Sequence, residues 1–198
     1  MIPSTCIDNF YENPDSVRDF ALSLDYYPPN EDEFFPGERT RCLSWIDEKF
    51  YHFSVQRFLS YFFDLTPDTI WKGSCNFQKT YKSNDDKYRR GNFGLPHRDK
   101  EQPNKLIGAV LYLNKNTNPD AGTKILQLKK NSNDEFDVTI DFKNCYNRMV
   151  AYDGYSFHQV SSFCVPEEFR LTQVFFIELL NNIPHRKKPS FTNSLRYE

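Results

Sequence analysis

The stretch GLPHRDKEQPNKL, residues 94–106, decides the fold because it admits two incompatible readings. As HRD with Asn104 five positions after Asp99, it copies the catalytic loop of a protein kinase, where the Asp is base and the Asn holds magnesium. As His97-x-Asp99 at a strand end, it sets two metal-ligating side chains on one face, because alternate residues of a strand point the same way. The first reading demands a nucleotide-binding lobe upstream. The second demands a sheet and a third ligand.

A kinase needs a Gly-rich loop over the phosphates, a strand Lys paired with a helix Glu, and a DFG segment for magnesium. The chain has no G-x-G-x-x-G, nothing before residue 97 resembles the nucleotide lobe, and the nearest approach to DFG is Asp153-Gly154, more than fifty residues on and followed by a strand pattern. The kinase reading is a coincidence of a few letters. For the metal reading, only four His exist. His52 falls in an expected helix and His185 in the C-terminal segment, which leaves His158 in the strand FHQVSSF. His97, Asp99 and His158 together make a two-histidine, one-carboxylate facial triad, whose open coordination positions suit Fe(II) that must take a bidentate cosubstrate and then O2. Such iron also needs an anchor for the far carboxylate of 2-oxoglutarate, and a fork-shaped Arg forms a bidentate pair there. Arg170 stands twelve residues after His158, in RLTQVFFIEL, and Thr172 shares its strand face, where a hydroxyl can bond the same carboxylate.

With these four points in order, the sequence resembles the Fe(II)/2-oxoglutarate-dependent dioxygenases, in particular their prolyl-4-hydroxylase-like branch. The segments that carry the likeness are LYLN (111–114), AGTKIL (121–126), NRMVAYDGYSFHQV (147–160) and RLTQVFF (170–176). It covers roughly residues 70–180. The resemblance implies a mainly β fold, a double-stranded β-helix or jelly roll with helices from the N-terminal third packed on one sheet. It implies His97, Asp99 and His158 as iron ligands and Arg170 as the 2-oxoglutarate clamp, with Thr172 assisting and Tyr112 bonding the same carboxylate. The cofactors implied are Fe(II), 2-oxoglutarate as cosubstrate, and O2. The activity implied is hydroxylation of an unactivated C–H with release of succinate and CO2; the alternative is a catalytically silent jelly-roll module that keeps the fold. Two departures stand out: Ala121 replaces a Gly before the Thr, and Asn147 replaces the Gly that opens the His strand.

The rest of the chain agrees with one domain of this kind, with helical support and a loop over 1–69, the β core over 70–180 and an extended basic tail over 181–198. Asn13, Pro14 and the spacing of Val17, Phe20, Ala21 and Leu24 predict a short helix; Phe50, Phe53, Phe58 and Tyr61 predict a second within 46–63, closed by Thr66-Pro67. Residues 26–41, with three prolines, read as a long ordered loop. Seven β-rich runs follow: 70–81, 105–114, 123–130, 137–142, 148–153, 157–165 and 170–179. Nineteen Phe and twelve Tyr against seven Gly point to an aromatic core, while a mean hydropathy of -0.72 describes a wet exterior. The net charge of -2 gives no global basic field, so nucleic acid is not favoured as a partner. No apolar run is long enough for a membrane span, and five scattered cysteines without a C-x-x-C pair fit reduced thiols, so the expected location is cytoplasmic.

The substrate, a small molecule or a peptide side chain, is chosen by loops that no motif describes. The loop 82–96, polar and directly before His97, is a candidate lid; its Lys87, Tyr88, Arg89, Arg90 and Phe93 would suit an anionic or aromatic substrate. Asn76, Gln78 and Tyr81, on the strand before it, are candidates to face substrate or cosubstrate, and Arg98 alternates away from the ligands into a structural role.

Overall fold

A computed structural model describes residues 2–31, 33, 35–81, 89–90, 93–99 and 106–186. The candidate lid therefore lies largely outside the described residues, as do the side chains of Arg89, Arg90 and Phe93 and the tail beyond 186.

In chain order the elements are β1 (Thr5–Ile7), α1 (Pro14–Leu22), β2 (Glu38–Arg39), α2 (Leu43–Ile46), α3 (Glu48–Ser60), β3 (Trp71–Tyr81), β4 (Arg89–Arg90), β5 (Phe93–Gly94), β6 (Leu106–Tyr112), β7 (Thr123–Leu128), β8 (Phe136–Phe142), β9 (Met149–Asp153), β10 (Phe157–Val160) and β11 (Phe169–Leu179). A six-stranded sheet runs β1-β9-β6-β11-β3-β2, and a three-stranded sheet runs β10-β7-β8. Every pairing is antiparallel. This is the expected mainly β architecture with supporting helices.

The large sheet has two chemically different faces, because side chains alternate along each strand. Leu171, Phe175 and Ile177 of β11, with Ile107, Ala109 and Leu111 of β6 and Cys75 and Phe77 of β3, form the apolar face. Against it pack α1 through Val17 and Ala21, and α3 through Tyr51, Val55, Phe58 and Leu59, whose i, i+4, i+7, i+8 spacing is one helical stripe. One polar group is set into this core: the Tyr11 hydroxyl lies 2.9 Å from both Ser54 Oγ and Gln173 Oε1. The opposite face carries Arg170, Thr172 and Val174, with their cross-strand partners Thr80, Gln78 and Asn76 on β3. That face looks toward the smaller sheet.

Three expectations change in detail. The helix expected within 46–63 is α3, and a short α2 not expected from the sequence precedes it; Asp47, in extended backbone, parts the two and caps α3 by accepting from the Phe50 N–H at 2.9 Å. The loop 26–41 contains a strand: β2 pairs Glu38 and Arg39 with Lys79 and Gln78, and Tyr27 bridges Arg39. The start of the tail is docked, since Phe63 bridges His185 and Arg186 N–H donates to Phe62. All seven expected strands are present, though that at 157–165 ends at Val160; β1, β2, β4 and β5 add to them. No helix among the described residues is long and apolar enough to cross a membrane.

Candidate metal centre

His97 and His158 face one another across a single antiparallel bridge, exchanging both backbone hydrogen bonds at 3.0 and 2.9 Å. Opposed residues of such a pair project to the same side of the sheet. The two imidazoles accordingly lie with ring centroids 4.3 Å apart. Two residues on, the Asp99 N–H donates to the Gly154 carbonyl at 3.0 Å, which fixes its backbone against the turn before β10. The carboxylate then sits 3.6 Å from His158 Nε2. One ligand atom from each of the three lies within 4.8 Å of the others, the one such group of three among the described residues.

The hydrogen bonds of the triad set both imidazoles to ligate through Nε2. His97 Nδ1 is 2.9 Å from the Leu95 carbonyl and His158 Nδ1 is 3.0 Å from the Ser156 carbonyl. A carbonyl only accepts, so each Nδ1 carries the proton and each Nε2 presents a lone pair to the centre. Burial holds His158 down to about 4, and burial with the neighbouring His158 lowers His97, so both rings stay neutral. Burial also pushes Asp99 up to about 6, against the opposing pull of His97 and Arg39. Its Oδ2 is buried without a hydrogen-bond partner. Two lone pairs and a carboxylate that resists being charged without a cation make a donor set that a divalent ion fits.

The Tyr152 ring lies on His158 at 4.2 Å, and Gly108, its cross-strand partner on β6, leaves the room that Asp99 uses. A Cβ at 108 would stand 2.7 Å from Asp99 Oδ2. Sequence reasoning missed both residues. The run MVAYD is buried throughout, so it offers no alternation from which to read which face Tyr152 occupies.

Arg170, Thr172 and Tyr112 are also brought together. Thr172 and Tyr112 are direct cross-strand partners, and the Arg170 guanidinium carbon lies 5.2 Å from the Tyr112 ring. Arg170 Nε donates to the Ala121 carbonyl at 3.1 Å, and the Tyr112 hydroxyl meets Thr123 Oγ1 at 2.8 Å. Arg170 Nη2 and Thr172 Oγ1 are buried without partners. Buried polar atoms are nearly always satisfied, so a fork nitrogen and a hydroxyl left open side by side mark a cradle for an anion. Glu167, a possible mate for Arg170, is taken instead by Arg18 at 2.7 Å. The carboxylate of 2-oxoglutarate fits this donor set.

Of the other candidates, Asn76 and Gln78 lie on the polar face, whereas Tyr81 alternates to the other side and bonds Glu38 at 3.2 Å. Arg98 covers the rings of Tyr155 and Phe157 at 4.1 and 3.8 Å, a packing role as expected.

Residues 2–131 match the family model described as "Family of unknown function (DUF6445)". The chain belongs to DUF6445. The matched region contains His97, Asp99 and Tyr112 and ends before His158, Arg170 and Thr172. No curated protein matches the chain in sequence. Solved structures do match in fold. HygX from Streptomyces hygroscopicus, determined with nickel and 2-oxoglutarate bound, superimposes with a TM-score of 0.59 at 13% identity, over 98% of this chain and 89% of that one. An oxidoreductase of the 2OG-Fe(II) oxygenase family from Burkholderia pseudomallei gives 0.55 at 12%, over 93% and 87%. A prolyl hydroxylase from Trichoplax adhaerens, in complex with a hypoxia inducible factor peptide fragment, gives 0.56 at 13%, over 88% and 83%. The fold of this DUF6445 protein is the jelly roll of the 2-oxoglutarate/Fe(II) oxygenases, prolyl hydroxylases among them.

Proposed function

We propose that the protein is a non-haem Fe(II)- and 2-oxoglutarate-dependent oxygenase that hydroxylates a substrate C–H. The observation that carries this reading is the pairing of two incomplete sites, one at β10 of the smaller sheet and one at β11 of the large sheet. One is a triad with both Nε2 lone pairs and a carboxylate directed at a common point. The other is an Arg–Thr pair with open, buried donors.

His97, Asp99 and His158 would hold the iron, and their fixed tautomers leave no rotation to be arrested on binding. Arg170 and Thr172 would hold the far carboxylate of 2-oxoglutarate, with Tyr112 completing the cradle. Bound Fe(II) with 2-oxoglutarate and O2 supplies the oxidising power, releasing succinate and CO2. The protein's part is to position and to exclude water. Tyr152 walls the triad with a ring, and Val110, Val150 and Ile125 line the polar face beside it.

The test is anaerobic titration with Fe(II), followed by 2-oxoglutarate, then oxygen. The expected result is one iron per chain, a weak visible charge-transfer band on adding 2-oxoglutarate, and succinate release under oxygen. Iron and 2-oxoglutarate binding without succinate, even in a metabolite and peptide extract, would identify a silent binding module instead.

A further inference from the structure

The polar face continues past Thr172. Tyr112, Thr172, Gln78 and Arg39 are successive cross-strand partners, so one row of side chains crosses β6, β11, β3 and β2. At its end, the Arg39 Nε donates to Gln78 Oε1 at 2.7 Å. Gln78 is itself fixed, its Nε2 donating to the Pro36 carbonyl at 2.8 Å and reaching Thr80 Oγ1 at 3.2 Å. The guanidinium lies 4.1 Å from the centroid of the Phe35 ring and 5.4 Å from that of Phe176. Gly37 makes this placement possible: its φ is +78°, and a Cβ there would stand 2.1 Å from the Lys79 carbonyl oxygen. Only glycine lets the chain enter β2 this close to β3.

Arg39 is thus pre-aimed, yet it has no carboxylate in contact. Among the described residues its terminal amino groups take no hydrogen-bond partner and form no ion pair. Its charge is felt at the metal centre, where it pulls Asp99 and His97 downward. Burial lowers the guanidinium only to about 10, so it remains a cation at neutral pH. The formal charges of the proposed complex then leave one unit over. The dication is offset by Asp99 and one carboxylate of 2-oxoglutarate, and Arg170 is offset by the other. Arg39 has only longer-range counter-charges, Asp99, already committed to the dication, and Glu33, neither of them in contact with it, in a half-buried setting where an incompletely paired charge is costly.

We infer that Arg39, set between Phe35 and Phe176, binds a carboxylate of the substrate, so that the oxygenase acts on organic acids with an apolar body next to the acid. This rests on the oxygenase reading. A single planar fork matches a monoanionic carboxylate better than a phosphate dianion. The flanking rings take the carbon skeleton. Arg39 is a specificity-determining residue in this assignment, distinct from the 2-oxoglutarate cradle on the far side of Gln78.

The test uses the full chain loaded with Ni(II) and 2-oxoglutarate, titrated calorimetrically with 3-phenylpropionate and hexanoate, with the primary amide of each, and with inorganic phosphate. The expected result is that both acids bind about tenfold or more tightly than their amides and than phosphate. Arg39→Gln removes the acid preference, while 2-oxoglutarate affinity in the variant stays within about threefold of the parent, which also reports that it is folded. Arg39→Lys, a point charge without the fork, restores part of the preference. Equal binding of acid and amide, no acid binding, tighter binding of phosphate, survival of the preference in Arg39→Gln, or a collapse of 2-oxoglutarate affinity in that variant each overturns the inference. Failure of the parent to take up nickel and 2-oxoglutarate sinks the oxygenase reading as well; uptake of both without acid preference sinks this inference alone.

Discussion

A single methyl group at position 108 is a sharp probe of the centre. In Gly108→Ala the new Cβ would stand 2.7 Å from Asp99 Oδ2 and 2.6 Å from a Tyr152 ring carbon, where ordinary contact begins at 3.4 Å. The ring has little room to yield, because it is buried and rests on His158 at 4.2 Å. The carboxylate must therefore retreat by about 0.7 Å, the difference between the two distances to its oxygen. Overpacking of this kind costs about 1–3 kcal/mol, which for a chain of this size lowers Tm by roughly 2–12 °C. The larger effect is on the metal. Ligands must be held within about 0.5 Å of productive geometry, so the displacement should weaken Ni(II) or Fe(II) binding by at least about tenfold. Calorimetric titration at neutral pH measures the affinity, and thermal denaturation in chelator measures the fold separately. A variant with lowered Tm and parental metal affinity would refute the reasoning, since Asp99 would then coordinate from elsewhere or not at all.

Asp99→Asn should abolish tight metal binding and raise the stability of the metal-free protein at pH 7 by on the order of 2 kcal/mol, because the buried carboxylate is disfavoured as a charge; an unchanged denaturation midpoint in chelator contradicts this. The pH dependence has a definite sign. With a folded pKa of about 6 above the ordinary 3.8, the folded form holds the extra proton between those values, so Asp99's contribution to metal-free stability falls as pH rises through that window. His158, depressed to about 4, acts oppositely as pH drops below its ordinary 6.5, so the parent must be compared with Asp99→Asn to isolate the carboxylate. Metal affinity should decline as pH falls below about 6, and a flat affinity from pH 5 to 7 would contradict it. Arg170→Leu should cost roughly 2–5 kcal/mol in 2-oxoglutarate binding, and Thr172→Val about 1 kcal/mol, with metal affinity unchanged in both; calorimetry decides. Tyr11→Phe, which touches only the Ser54 and Gln173 cluster on the apolar face, should lower stability by about 1–3 kcal/mol and leave metal and 2-oxoglutarate binding alone, as denaturant unfolding would show.

The grouping of His97, Asp99 and His158, and of Arg170 with Thr172 and Tyr112, was legible in the sequence because the proposed chemistry is carried by rare residue types at fixed spacings on strands. Four histidines left one choice for the third ligand, and the two-residue step from Arg170 to Thr172 is a strand period. Strand positions were legible for a similar reason, since turn residues punctuate β-rich runs. Arg39 was not. A two-residue strand among prolines has no alternation to detect, and its place in the site follows from pairing with Gln78, a contact between residues far apart in sequence. Tyr152 and Gly108 were hidden by strands buried on both faces. The short α2 was hidden because four residues are too few to show a helical period.

β11 interleaves two messages in one segment. Its even positions, Arg170, Thr172 and Val174, face the proposed chemistry, and its odd positions, Leu171, Gln173 and Phe175, face the helices. Drift at the odd positions alters how firmly the chain folds, and drift at the even ones alters what it binds, so the two traits can be selected almost separately. What cannot drift is length. With the register beyond it held, one residue inserted between 171 and 175 would carry the guanidinium toward the aromatic core and turn Leu171 toward the proposed metal, losing both traits at once.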